Sequence, residues 1–167
     1  MKKLLTLTAI LSWINILVGA LLVLCGLIGL AASPEIFVAL ILIVLAGGII
    51  LHSYAALQLR RSIIYPSISL SRQTPSGIRI MGFMALFFAV MSFGNAIVIL
   101  QQAPELAKQI KLPPQAKNLN VVPILRGSAI FTLLVSISIL ANVVLNFRLM
   151  KWYIISISNK ENDQVNN

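Results

Sequence analysis

The chain has 167 residues, 59% of them hydrophobic and only 10% charged, and its 13 basic side chains outnumber 4 acidic ones for a net charge of +9. A soluble domain of this size buries only about two-thirds of its surface and is about a quarter charged, so a water-soluble fold is excluded, in line with the mean hydropathy of +0.96. The basic residues flank apolar runs instead of forming a stripe with interleaved aromatics, so no nucleic acid partner is expected; the partner expected for these charges is the anionic headgroup surface of a bilayer.

Four apolar stretches follow in chain order, at 4–32, 36–57, 78–100 and 121–150. Each exceeds the roughly 20 residues that cross about 30 Å of hydrocarbon. Lipid offers the backbone no hydrogen-bond partner, so such segments must be helical. The expected fold is all-α: a four-transmembrane-helix bundle made of two antiparallel hairpins. It forms a single domain over 1–158, and a polar tail at 159–167 is expected to be disordered.

The first run begins with Lys2 and Lys3 and ends near Ala31-Ala32-Ser33, features shared with signal peptides. Its apolar length is well beyond the roughly 7–15 residues of a signal core, so it is expected to stay as a membrane helix. Cys25 lies inside it and is the sole cysteine, so no internal disulfide or thiolate cluster is available. The link at 31–35 is short and makes the first two helices a hairpin.

The second loop, 58–77, carries Arg60, Arg61 and Arg72, with Arg79 just inside the third helix. These four are the candidate contacts for a docking protein or for anionic lipid. Within the loop, Ser67-Ile68-Ser69-Leu70-Ser71 alternates with the period of an extended segment. Thr74-Pro75 reads as an N-cap followed by proline at the first helical position. The third loop, 101–120, holds Pro104 to Lys111, which reads as a separate amphipathic turn of helix resting on the membrane surface. Basic residues are denser in the N-terminal, 58–79 and C-terminal segments than in the two alternate loops. The positive-inside rule then places both termini in the cytoplasm, and a bacterial inner membrane is the expected location.

Projected at about 100° per residue, the first helix aligns Thr8, Ser12, Asn15, Gly19 and Gly26 on one stripe. The third aligns Gly82, Ala85, Ala89, Ser92 and Ala96, and the second aligns Ala39, Ala46 and Ser53. The fourth has a broader polar face of Ser128, Thr132, Ser136, Ser138, Asn142 and Asn146. Small and polar residues are the means by which helices associate in lipid. Ser12, Asn15, His52, Asn142 and Asn146 form the candidate intramembrane polar cluster. It serves either as helix-to-helix bonding or as a cytoplasm-facing pocket for a ligand or lipid headgroup. The second and fourth helices both end in basic residues, which hints at tandem hairpins without enough side-chain similarity to establish a repeat.

His52 is the sole histidine and Cys25 the sole cysteine, so no metal or haem cofactor is expected. No acid or base sits in the middle of a helix, whereas intramembrane ionisable groups mark proton relays and coupled transport. Small multidrug transporters, to which four short helices invite comparison, depend on a glutamate in their first helix, and 4–32 has none. No phosphate loop, zinc pattern or nucleophile elbow is present.

The segments Leu57-Gln58-Leu59-Arg60-Arg61-Ser62 and Leu70-Ser71-Arg72-Gln73-Thr74-Pro75-Ser76-Gly77-Ile78-Arg79 resemble stretches of small uncharacterised bacterial four-helix integral membrane proteins. The resemblance covers about a fifth of the chain and implies the four-helix architecture, but no activity. The expectation is a structural or accessory subunit of a membrane complex, homo-oligomeric or joined to other chains, and not an enzyme. The alternatives are an oligomeric small-solute transporter or channel, and a lipid- or ligand-binding bundle.

Overall fold

The computed structural model describes residues 2–32, 36–68, 70–71, 73–110 and 119–165. Among them are four helices: α1 (Lys2–Ala32), α2 (Ile36–Ile64), α3 (Thr74–Gln109) and α4 (Val121–Val165). All four are long and apolar enough to span a membrane. Each hairpin packs along its length, α1 on α2 and α3 on α4; α2 against α3 and α1 against α4 close the bundle, with α2 and α4 touching across it. Large apolar side chains such as Trp13, Phe37 and Phe83 point outward. In water that arrangement would be inverted, but in lipid the outside is the apolar solvent.

Three element boundaries differ from the sequence reading. Helix α2 runs through Arg60 and Arg61 to Ile64, where the sequence pattern ended it at Leu57. Gln, Leu and Arg are good helix formers, and Leu59 is fully buried in an apolar cluster with Leu5, Ile78, Leu149 and Met150. Packing therefore carries the helix onward until Pro66 approaches, since proline disfavours helix in the residue before it. Helix α3 passes through Pro104 to Gln109, so no separate surface helix forms. Proline removes one backbone bond, but Gln, Ala, Glu, Leu and Lys on both sides sustain the helix. Helix α4 continues past Ser158 to Val165, where a disordered tail was expected; no Pro or Gly interrupts 151–165. Its 45 residues at about 1.5 Å each far exceed the bilayer, so its last turns lie beyond it.

The α2–α3 connection opens with a turn that takes in Ser67 and Ile68, the first two residues of the segment whose alternation suggested an extended strand. The Ile68 amide donates to the Tyr65 carbonyl at 2.9 Å, the closure of a β-turn begun by Pro66; Ser69 lies outside the described residues. Thr74 is the first helical residue and Gln73 the cap, so the expected Thr74 cap is displaced by one position. Ser71 supplies the local bonds instead, its carbonyl accepting from the Thr74 amide at 3.0 Å. At α4, the Asn120 side chain caps the Val122 amide at 3.2 Å.

Burial repeats between the hairpins. The buried positions 12, 15, 19 and 26 of α1 recur 70 residues later at 82, 85, 89 and 96 of α3. Those of α2 at 39, 46, 49, 52, 53, 56 and 59 recur 90 residues later at 129, 136, 139, 142, 143, 146 and 149 of α4. The two hairpins thus share a packing register that the side chains alone hardly reveal. Glycines set its tightest points: a Cβ on Gly19 would lie 2.7 Å from Ile50, and one on Gly26 2.6 Å from Ile43. Those distances fix α1 directly against α2, the close approach that drives packing in lipid.

Candidate functional site

The polar cluster lies where α1, α2 and α4 meet. Ser12, Asn15, His52, Asn142 and Asn146 are each at most 1% exposed, and Ser53 is fully buried. They form a layer between two apolar clusters. One comprises Ile49, Ala85, Ala89, Ile139 and Val143, and the other Leu5, Leu59, Ile78, Leu149 and Met150.

Asn142 is the hub. Its Oδ1 accepts from Ser12 Oγ of α1 at 3.1 Å and from Asn146 Nδ2 one turn along α4 at 2.9 Å. Its Nδ2 donates to Ser53 Oγ of α2 at 3.3 Å. One carboxamide thus ties three helices. A second tie joins Ser138 Oγ of α4 to Asn15 Oδ1 of α1 at 3.0 Å. Such bonds contribute on average about 0.6 kcal/mol each and at most about 1.7. Their geometric effect is larger, because carboxamide and hydroxyl must meet at one depth and one rotation.

The structure brings Ser12, Asn142 and Asn146 together, places Asn15 in the separate Ser138 pair, and sets His52 apart. His52 Nδ1 lies 3.2 Å from the Ile78 carbonyl of α3; a carbonyl only accepts, so Nδ1 donates. The ring stands edge-on to Phe147 with centroids 6.2 Å apart. Gly82 makes room for both rings: a Cβ there would lie 2.8 Å from Phe147 and 3.1 Å from His52 Cε1. His52 and Asn142 are equivalent under the repeat, so each hairpin places a polar side chain at the same point of its second helix. Asn15 Nδ2, His52 Nε2 and Asn146 Oδ1 have no hydrogen-bond partner among the described residues.

The broad polar face read on α4 divides. Ser136, Asn142 and Asn146 are buried, whereas Ser128 is exposed and Thr132 half-buried. Ser128 and Thr132 bond back to the Leu125 and Ser128 carbonyls at 2.8 and 2.9 Å. A hydroxyl satisfied on its own helix need not face the interior. Ser53 and Ser138 are partners that sequence reasoning did not assign. The stripe Ala39, Ala46, Ser53 contained the signal for the first, since Ser53 is its only hydroxyl.

Of the basic residues, Arg60 is half-buried on α2 with its Nε unpartnered among the described residues. Arg61 and Arg79 are exposed, and Arg72 lies outside the described residues. Arg61 lines a crevice of about 220 Å³ with Tyr54, Gln58 and Ile68. Among the described residues no group of three His, Cys, Asp or Glu side chains is arranged to hold a metal.

Comparison with family models, with curated proteins and with solved structures finds no match. The likeness at residues 57–79 therefore identifies no family, and the reading below rests on the chain's own residues.

Proposed function

We propose that this four-span membrane protein is a structural or accessory subunit, without catalytic activity of its own, whose task is to associate with other membrane chains. The observation that carries the reading is the Ser12–Asn142–Ser53 tie with Asn146. Four buried polar side chains from three helices are bonded to one another between two apolar clusters, which is the use of polar groups that holds helices together in lipid. Nucleophile and base chemistry is poorly served: Ser53, adjacent to His52, is occupied by Asn142, and successive helical residues diverge by about 100°. Under this proposal both termini are cytoplasmic in a bacterial inner membrane, and Arg60, Arg61, Arg72 and Arg79 meet anionic headgroups or a docking partner on that side.

The test is the protein composition of complexes recovered with a tagged full-length chain after mild-detergent extraction from its native membrane. A reproducible stoichiometric component, whether a second copy or another chain, is expected. Loss of a defined chemical activity in a His52→Ala variant that keeps its fold and expression would overturn the non-catalytic reading.

A further inference from the structure

Helix α3 carries one polar side chain on the lipid side that the bundle does not use. Asn95 is exposed and has no side-chain hydrogen-bond partner among the described residues. Its depth is the problem: Ala89 marks the midpoint of the apolar run 78–100, and at about 1.5 Å per residue Asn95 lies about 9 Å from it. That is inside a hydrocarbon half-thickness of about 15 Å. A carboxamide there has no water to bond, and an unsatisfied polar group in hydrocarbon is costly.

The residues around it form a pattern. Phe87, Met91 and Val98 are exposed apolar side chains, and Asn95 and Gln102 are exposed between and beyond them. Positions 91, 95, 98 and 102 are spaced by four, three and four, the seam of a left-handed helix pair, and Phe87 lies one turn before them on the same face. This seam is separate from the one at 82, 85, 89, 96 and 103 by which α3 packs inside its own bundle. Gly94 flanks it, and a Cβ there would meet nothing within 4 Å, so another backbone can approach. A single asparagine in such a seam is the device that fixes register and partner number in paired helices.

The occupant follows from chemistry and depth. A carboxamide is one donor group and one acceptor, so it is complementary to itself. Two copies inserted in the same orientation and related by a two-fold axis along the membrane normal carry Asn95 at the same depth. Any other partner would need its own polar group at that level. We propose that α3 pairs with α3 of a second copy along Phe87, Met91, Asn95, Val98 and Gln102, with the two Asn95 carboxamides hydrogen-bonded to each other at the axis. This deepens the accessory reading by naming the partner, and it rests on that reading.

The experiment uses full-length protein in its native membrane. Cys25 is itself exposed and occupies the position in α1 equivalent to Asn95, so it is replaced by alanine throughout. With Asn95→Cys, mild oxidation is expected to give a disulfide-linked dimer; with Val90→Cys, exposed on another face, it is not. In liposomes, Asn95→Leu is expected to weaken dimerisation about 3- to 20-fold, the range of interhelical bonds in lipid, while Asn95→Gln restores it. Equal crosslinking at both positions, or unchanged dimerisation in Asn95→Leu, overturns the proposal. If extraction instead yields a different stoichiometric partner and Asn95 forms no crosslink between copies, this pairing is refuted while the accessory reading stands.

Discussion

Replacing Asn142 by alanine removes the one side chain that touches α1, α2 and its own next turn. Three hydrogen bonds are lost, from Ser12, from Asn146 and to Ser53. At about 0.6 kcal/mol each they sum to about 2 kcal/mol. Ser12 can recover part of this by bonding back along α1, as Thr8 already does to the Leu4 and Leu5 carbonyls. Asn146 Nδ2 loses its acceptor and joins its own Oδ1 as an unpartnered atom of a fully buried side chain. A small cavity at a fully buried site adds about 1 kcal/mol, so the expected loss is about 2–3 kcal/mol. The assay is reversible unfolding in mixed micelles, with Ser128→Ala as the reference because Ser128 is exposed and satisfied on its own helix. That reference should stay within about 0.5 kcal/mol of the parent chain. A double-mutant cycle of Ser12→Ala with Asn142→Ala should give a coupling near 0.6 kcal/mol. An Asn142→Ala variant as stable as Ser128→Ala would refute the idea that this layer holds the bundle.

Gly26→Val is expected to destabilise the α1–α2 hairpin by about 1–3 kcal/mol through overpacking against Ile43; Gly47→Ala, where a Cβ meets nothing within 4 Å, should be neutral or mildly stabilising. The same unfolding assay separates them. Glu105→Gln breaks the pair with Lys108 at 3.0 Å, but both side chains are about two-thirds exposed or more, so stability should change by less than about 0.5 kcal/mol. Cysteines placed singly at Ser67 and at Gln109 in a Cys25→Ala chain should be labelled by an impermeant reagent from opposite faces, Ser67 from the cytoplasmic one. Labelling of both from the same face would contradict the four-span topology.

Length and hydrophobicity made the four helices legible, because the bilayer sets one minimum length for every span. The inward faces were legible too. Polar and small residues at helical spacing placed Ser12, Asn15, Asn142 and Asn146 on sides that the structure buries, and His52 is buried beside the α2 stripe of Ala39, Ala46 and Ser53. What could not be read was pairing. Ser12 meets Asn142 across 130 positions, and nothing local distinguishes that partner from Asn146. Ser128 reads as interior by type, yet it satisfies itself on its own helix and is exposed; Thr132 also bonds back to its own helix and is half-buried. The boundary at Leu57 failed because charge alone marked Arg60 and Arg61 as loop, while the fully buried Leu59 keeps them helical. The segment from Pro104 to Lys111 was read as a separate surface helix, whereas the missing amide of Pro104 costs one bond near the end of a helix with strong formers on either side. The repeated burial register was hidden for a related reason: Ser12 matches Gly82 and His52 matches Asn142, so position recurs while side-chain chemistry does not.

The most direct test of the account is the intact mass of the particle that a tagged full-length chain forms when excised, with its surrounding lipid, from the native membrane. The account predicts a discrete mass above that of one chain, made of at least two copies or of this chain with a stoichiometric partner. A particle holding a single copy and no other protein, at native expression level, would contradict an associating role.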